Sequence, residues 1–257
     1  MIELETETHV VVRSTARFRE MLRDHHIYTI EDINRDRLHD RHLVRFRKDC
    51  VVEPYVGWYQ GDNLCSMGAF TYSHSPLSAE IKLGRYCSLG GRIAWPGSRH
   101  PMQAVSTSTA FYFPRSAQVG AAWRDIGAAR PFPKIPNPDR AAPVIGHDVW
   151  IGQDSAFSNG VSIGNGCVVG TQALVTKSFG DYSVIGGNPA RRLKGRFDDD
   201  LSAALAATKW WRLGLDALKG LPVDDPESFV REAERLKDEP DWRPVSLNVW
   251  EVTRTFL

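Results

Sequence analysis

The chain has 257 residues, of which 42% are hydrophobic and 25% charged, a globular composition that excludes a wholly disordered protein. Its 32 basic and 31 acidic residues give a net charge of +1, so the overall charge provides no reason to bind nucleic acid or an anionic membrane. No apolar segment is long enough for a predicted membrane span.

The N-terminal part of the sequence is rich in charge. The first five residues (MIELE) include two glutamates and no long apolar run follows them, which argues against a secretory signal or a transit peptide. The four cysteines are scattered along the chain, which is typical of a reducing compartment and predicts a cytoplasmic protein. Residues 1–55 are predicted to be a charged N-terminal extension, with a solvated helix or arm over 13–48.

A short repeat follows, in which large apolar residues recur six positions apart at Leu83, Leu89 and Trp95. The next residue of this type, Ile145, lies 62 positions after Leu83, which is not a multiple of six. Residues 96–143 are therefore predicted to leave the repeat as an inserted loop, and the prolines between 131 and 138 agree with that. Loops of this length inside a domain are commonly functional.

From Ile145 to Gly180 the chain divides into six blocks of six residues. The first residue of every block is apolar: Ile145, Ile151, Phe157, Ile163, Val169 and Val175. The second residue is glycine in four blocks, and the fifth is small in all but the last. A period of six fits neither an amphipathic helix nor an isolated strand. It predicts a mainly β fold, a parallel β-helix over 56–196, in which first residues stack inward and glycine permits the corner angles and close approach.

The C-terminal part, residues 197–257, loses the repeat and is predicted to form a helical cap. A helix is expected from Asp198 to Lys219, with Gly220 as its stop, and a second from Pro226 to Leu236. The open end of a solenoid exposes apolar residues, so we expect the C-terminal helices to cover this end as a cap.

Several motifs resemble those of the hexapeptide-repeat acyltransferases: Ile145 to Gly152 (IGHDVWIG), Val175 to Lys177 (VTK) and Gly186 to Arg191 (GGNPAR). Others resemble the xenobiotic acetyltransferase branch, which includes chloramphenicol and streptogramin acetyltransferases: Gly84 to Leu89, Gly97 to His100, Ser106, Phe111-Tyr112 and Trp210-Trp211. The resemblance extends over about 56–221.

This resemblance implies a left-handed β-helix and a homotrimer, with acetyl-CoA in the groove between adjacent prisms. It also implies direct transfer of the acetyl group to a hydroxyl of an antibiotic-like or sugar acceptor. No metal is implied. The acceptor and the length of the acyl chain stay open at this point.

His100 matches the position of the family's catalytic histidine. A neutral imidazole there is expected to take the proton of the acceptor hydroxyl as its oxygen attacks the thioester. The family often has an acidic residue three positions later, where this chain has Gln103. An amide cannot supply charge, so this departure bears on the identity of the acceptor.

Six residues match CoA-binding positions of the family: Gln153, Thr171, Thr176, Lys177, Arg191 and Lys194. The three basic residues are expected to meet the phosphates. Backbone groups of the two threonines are expected to pair with the pantetheine amides.

Three alternatives remain. A γ-class carbonic anhydrase would need three zinc-binding histidines, for which His74, His100 and His147 are the candidates in the repeat region. An N-acetyltransferase would modify an amino sugar. A non-catalytic β-helix scaffold would retain the fold and bind CoA without transfer.

Overall fold

The computed structural model describes residues 2–97, 99–112, 116–127 and 141–256, and the fold is mainly β. Two compact units are present, one formed by Met1–Pro96 and Ala142–Leu257, the other by Gly97–Ala141. The strands are β1 (Ile2–Glu5), β2 (His9–Arg13), β3 (Ile27–Tyr28), β4 (Leu43–Arg47), β5 (Val51–Val52), β6 (Val56–Trp58), β7 (Ser66–Met67), β8 (Tyr72–Ser73), β9 (Lys82–Leu83), β10 (Ser88–Leu89), β11 (Val144–Ile145), β12 (Trp150–Ile151), β13 (Ala156–Phe157), β14 (Ser162–Ile163), β15 (Val168–Val169), β16 (Leu174–Val175), β17 (Ser183–Gly187), β18 (Ala190–Gly195) and β19 (Leu247–Asn248). The α-helices are α1 (Ala16–Asp24), α2 (Ala117–Ile126), α3 (Asp199–Thr208), α4 (Leu215–Leu218), α5 (Pro226–Ala233) and α6 (Val249–Thr253).

Strands of successive coils pair in parallel and form three faces, whereas the end strands β18 and β19 pair antiparallel with β17 and β5. The first face has the strand order β18-β17-β15-β12-β10-β8-β6-β3, the second β14-β11-β9-β7-β5-β19, and the third pairs β13 with β16. The register places Leu89 beside Ile151 and Ile151 beside Val169, so that equivalent positions of neighbouring coils stack directly. The predicted parallel β-helix is confirmed.

The inward columns of the repeat form the core. The six first-position residues from Ile145 to Val175 are at most 4% exposed. The six fifth-position residues are also buried: Val149, Ser155, Val161, Cys167, Ala173 and Phe179. Ser155 is the polar member of this column, and its hydroxyl donates to the carbonyl oxygen of Gly152 at 2.7 Å. The first and fifth positions of the repeat are therefore the buried ones, as the sequence predicted.

The glycines of the repeat serve close approach between coils. A Cβ atom at Gly164 would lie 2.4 Å from Oδ1 and 2.5 Å from the backbone nitrogen of Asp181, in the next coil. The second-position glycines keep negative φ angles, whereas the left-handed conformation falls on the fourth position, for example at Asp148, Gly160 and Gln172. The sequence analysis assigned both the corner angle and the close approach between coils to the second-position glycine. In the structure the two requirements fall on different positions of the repeat.

Residues 13–48 contribute to the core rather than forming a solvated arm. Strand β2 pairs antiparallel with β1 and β4, and Thr15 caps α1 by accepting from the backbone N–H of Phe18 at 3.2 Å. Phe18 and Val44 are fully buried. Exposed and buried residues alternate along β4, so Arg45 and Arg47 face outward while Val44 and Phe46 face the core. The parallel ladder also begins before Val56, because β3 pairs with β6.

The C-terminal helices are present, with one change of boundary. Helix α3 starts where the Asp198 carboxylate accepts from the N–H of Leu201 at 2.8 Å. It ends at Lys209, whose φ of 46° is left-handed, so the helix predicted to reach Lys219 is divided into α3, a 3-10 turn and α4. Helix α5 lies where the second helix was predicted, and a 3-10 turn over Glu234–Leu236 continues it.

The unit Gly97–Ala141 contains a 3-10 turn over Thr109–Phe111 and helix α2, which ends at Gly127 with a φ of 65°. The proline-rich stretch predicted as part of the inserted loop lies outside the described residues. In the part of the chain that the structure describes, no helix combines the length and the apolar composition needed to cross a membrane.

Candidate active site

His100 lies in an exposed loop and its ring is held at one nitrogen. Nδ1 lies 2.7 Å from the carbonyl oxygen of Thr107 and 2.7 Å from the hydroxyl oxygen of Tyr112. The Tyr112 ring also packs edge-on against the imidazole, with 6.0 Å between ring centroids. These two neighbours fix both the position and the orientation of the ring.

The same contacts determine which ring nitrogen can act as a base. A carbonyl oxygen can only accept a hydrogen bond, so Nδ1 of His100 carries the proton, and the Thr107 carbonyl oxygen and the Tyr112 hydroxyl oxygen both accept from it. In the neutral ring the lone pair is then on Nε2. The geometry thus presents Nε2 as the proton acceptor.

Tyr112 and the Thr107 carbonyl were not assigned a role from the sequence. Phe111-Tyr112 was noted as a motif, but nothing in the sequence indicated that the Tyr112 hydroxyl would contact His100. A backbone carbonyl carries no sequence signal. Gln103 is exposed, and no hydrogen bond joins it to His100 among the described residues.

The structure places the six predicted CoA-binding residues on outer surfaces of the β-helix. Gln153 and Thr171 lie at the same corner of adjacent coils, where the Gln153 carbonyl oxygen accepts from the N–H of Gln172 at 3.0 Å. A Cβ atom at Gly152 would lie 2.6 Å from the Thr171 nitrogen, so this corner is tightly stacked. Thr176 follows β16 at the next corner. His100 belongs to the unit Gly97–Ala141, and all six residues belong to the other unit.

The basic members of this set carry charge that no described carboxylate neutralises. Lys177, Arg191 and Lys194 are exposed, and none forms an ion pair with a described residue. The ammonium group of Lys177 lies 5.5 Å from the centroid of the Phe179 ring. Arg191 and Lys194 share strand β18. Such exposed, uncommitted cations suit the phosphates of an anionic substrate.

The two histidines of the β-helix are engaged in other contacts. His74 Nε2 lies 3.4 Å from Glu31 Oε1. His147 Nδ1 accepts from the backbone N–H of Arg85 at 2.9 Å, and the ring stacks on Trp211. Burial, with a smaller effect of the Arg85 charge, lowers the pKa of His147, so the ring is held neutral. Among the described residues, no three His, Cys, Asp or Glu side chains converge as metal ligands.

One face of the β-helix exposes large aromatic side chains. Trp150 is 59% exposed on β12, and Tyr72 is 37% exposed on β8 of the same sheet. Ser88 lies between them in register. A flat sheet face that carries exposed aromatic residues is typical of a surface that packs against another protein.

Comparison with protein families gives a match to the family described as "Bacterial transferase hexapeptide (six repeats)" over residues 142–177. This range overlaps the six blocks of six residues, which run from Ile145 to Gly180, over residues 145–177. The matched residues supply β11 to β16.

Curated relatives extend the likeness beyond that tract. A chloramphenicol acetyltransferase of Agrobacterium fabrum is 33% identical over 168 residues, which are 64% of this chain and 75% of the relative. A probable macrolide acetyltransferase of Lysinibacillus sphaericus is 33% identical over 160 residues, 61% of this chain and 83% of that protein. Among solved structures, a serine acetyltransferase of Neisseria gonorrhoeae matches at 13% identity with a TM-score of 0.35, over 59% of this chain and 42% of that one.

Proposed function

This chain belongs to the hexapeptide-repeat xenobiotic acetyltransferases and is an acyltransferase, and from that premise we propose that it moves an acetyl group from acetyl-CoA to a hydroxyl of an antibiotic-like or saccharide acceptor. The relatives named for chloramphenicol and macrolide acetylation support an acceptor of the drug class. The observation that carries the reaction type is the arrangement around His100, whose Nδ1 is committed to the Thr107 carbonyl.

In the proposed reaction, Nε2 of His100 takes the proton of the acceptor hydroxyl while its oxygen forms a bond to the acetyl carbon. The bond between that carbon and the CoA sulfur breaks, and the sulfur receives the proton from Nε2 to leave as the thiol. An alcohol is too weakly acidic to attack a thioester rapidly at neutral pH. The histidine therefore acts as the base that removes the hydroxyl proton, which water does too weakly. Tyr112 holds the ring and is a positioning residue in this proposal.

Acetyl-CoA binding is assigned to the outer corners of the β-helix. Lys177, Arg191 and Lys194 are proposed to contact the phosphates, because their charges are exposed and have no described acidic partner. Backbone groups at Thr171 and Thr176 are proposed to pair with the pantetheine amides, and Gln153 to line the same corner. The chemistry of this donor set, cationic and amide-rich, fits a co-substrate with phosphates and peptide-like amides.

A homotrimer is part of the proposal. The exposed rings of Trp150 and Tyr72 on one flat face are the surface that a neighbouring copy of the chain would cover. Sedimentation velocity of the wild type, compared with Trp150→Glu, tests this directly. If the wild type is a monomer, no groove exists between copies of the chain, and acetyl-CoA cannot bind in one.

The reaction is tested by following thiol release from acetyl-CoA with chloramphenicol, a macrolide, a streptogramin, a sugar and an amino sugar in turn. Mass spectrometry of each acceptor distinguishes an O-acetylated from an N-acetylated product. His100→Ala is expected to lower kcat about a hundredfold or more while acetyl-CoA still binds, the usual effect of losing a general base. His39→Ala, on an exposed turn, is the matched control and is expected to keep wild-type turnover.

Two outcomes would contradict the proposal. Wild-type turnover in His100→Ala would remove this histidine from the mechanism. If acetyl-CoA binds but no acetyl group is transferred to any of the five acceptors, the result would favour a non-catalytic scaffold that still binds CoA.

A further inference from the structure

A partly open, mostly apolar cavity lies between the β-helix and the C-terminal helices. Its volume is about 250 Å³. Its apolar walls come from the C-terminal segment: Phe197, Leu205, Trp210, Leu218 and Phe229. The β-helix contributes Tyr182. A space of this size accommodates a molecule of about ten non-hydrogen atoms, and cavities lined by apolar side chains with a few polar groups are the usual form of small-molecule sites.

Tyr182 lines this cavity with a hydroxyl group that has no partner. The residue is 2% exposed, and its oxygen forms no hydrogen bond with any described residue. The indole of Trp210 also lines the cavity, but an indole N–H can only donate, so it offers no acceptor for the hydroxyl proton. Buried polar groups in folded proteins are almost always paired, so an unpaired hydroxyl beside an empty space needs a partner from outside the chain.

The charged groups at the cavity are already committed to each other. Arg196 Nη1 lies 2.8 Å from Asp148 Oδ2 and also donates to the carbonyl oxygen of Gly166 at 2.8 Å. The guanidinium of Arg196 packs near the Tyr182 ring, 5.6 Å from its centroid. The cavity therefore presents a neutralised ion pair, and among its described lining residues the Tyr182 hydroxyl is the fully buried side-chain polar group without a partner.

We propose that this cavity is a binding site for a small neutral molecule, mostly aromatic or aliphatic, that carries one hydrogen-bond acceptor for Tyr182. The apolar walls select against a charged ligand, because a buried charge without a partner is strongly disfavoured. None of the lining residues belongs to the proposed acetyl-transfer machinery. The site is independent of the proposed function.

Two molecules of the same shape test the proposal. Acetophenone carries a carbonyl oxygen where α-methylstyrene carries a methylene group, so the pair differs in the acceptor alone. Binding of each to the full-length protein is measured by isothermal titration calorimetry. Wild type is expected to bind acetophenone about fivefold to tenfold more tightly, as for one neutral hydrogen bond.

The matched variant is Tyr182→Phe, which removes one oxygen and keeps the shape of the ring. It is expected to bind α-methylstyrene as the wild type does and to lose the preference for acetophenone. Because the deleted hydroxyl is unpaired in the free protein, the Tm of unliganded Tyr182→Phe is expected to equal or exceed that of wild type. Tyr55→Phe, whose ring is 44% exposed and does not line the cavity, is expected to retain the preference.

Three results would overturn the proposal. The first is that neither compound binds wild type at millimolar concentration. The second is a preference for acetophenone that survives in Tyr182→Phe, which would place the acceptor elsewhere. The third is a lower Tm of unliganded Tyr182→Phe, which would show that water already pairs with the hydroxyl.

Discussion

Arg85 and Glu53 form a bidentate ion pair in which Nε lies 2.6 Å from Oε2 and Nη2 lies 2.7 Å from Oε1. The same guanidinium donates to the carbonyl oxygens of Trp211, Arg212 and Trp242. One side chain of the β-helix thus joins an early coil to the C-terminal residues. Arg85 belongs to the motif from Gly84 to Leu89 that the sequence linked to the xenobiotic branch, and its role here is structural.

Glu53→Gln is expected to destabilise the protein by about 1–3 kcal/mol at pH 7, because Arg85 is left partly buried without a countercharge. Burial alone would raise the pKa of Glu53, but hydrogen bonds from Arg85 and the Ala69 N–H outweigh it and lower the pKa below its ordinary 4.5. A lowered folded-state pKa contributes stability above the unfolded value, and that contribution is lost as pH falls through the folded value. The difference between variant and wild type should therefore shrink below about pH 4.5.

Urea denaturation at pH 7 and at pH 3.5 to 4 provides the measurement for this pair. Glu3→Gln is the control, because Glu3 pairs with Arg13 on the surface and such pairs contribute little. A Glu53→Gln penalty that is as large in acid as at neutral pH would show that the charge of the carboxylate is not the cause.

Gly164→Ala is expected to destabilise the β-helix by about 2 kcal/mol or more, since the added methyl group would collide with the backbone of Asp181. Gly180→Ala is the matched control: a Cβ atom there meets nothing within 4 Å, and its stability should stay close to wild type. Thermal unfolding of both variants compares a glycine required by coil stacking with one that is not. Equal losses in the two would refute the role of close approach.

Tyr112→Phe is expected to lower kcat about fivefold, the effect of one neutral hydrogen bond, with the KM for acetyl-CoA unchanged. The phenyl ring keeps the edge-on contact with His100, so a change in kcat reports on the hydroxyl. Steady-state kinetics of Tyr112→Phe, His100→Ala and the double variant form a cycle. If Tyr112 acts through His100, the double variant is no slower than His100→Ala, and a further loss would assign Tyr112 to a separate task.

Lys177→Ala and Arg191→Ala are each expected to raise the KM for acetyl-CoA severalfold with little change in kcat, as when uniform binding is removed. Lys219→Ala removes an exposed positive charge outside the proposed CoA corners and serves as the control. Initial rates over a range of acetyl-CoA concentrations give both constants. An unchanged KM in both variants would mean that the phosphates bind elsewhere.

The inward positions of the repeat could be predicted from the sequence because every coil requires the same kind of side chain at the same position. An inward side chain such as Ile151 must be apolar whatever its neighbours are, so periodicity alone predicted its burial. The N-terminal segment was misread for a related reason. The prediction considered the charged residues over the whole of 13–48 and missed the alternation of buried and exposed residues in β4. That alternation extends over five residues and buries Val44 and Phe46.

Helix boundaries at the C-terminus were predicted less well. The left-handed angle at Lys209 ends α3, and no glycine or proline marks that position. Residues Trp210 and Trp211 turn there to pack against Tyr86 and His147, which lie far away in sequence. Tertiary contacts override helix propensity at this point.

From the sequence alone we could predict the solenoid, the side chains that fill its interior and, through resemblance, His100 as the candidate base. Each of these depends on residue type at a fixed spacing, which a one-dimensional pattern records. Three features could be read only from the folded structure: which nitrogen of His100 donates to Thr107, how Glu53 and Arg85 join the C-terminal residues to an early coil, and that the Tyr182 hydroxyl has no partner among the described residues. Hydrogen-bond partners are chosen by distance and direction in space, and a backbone carbonyl such as that of Thr107 is the same in every residue, so no sequence pattern encodes these choices.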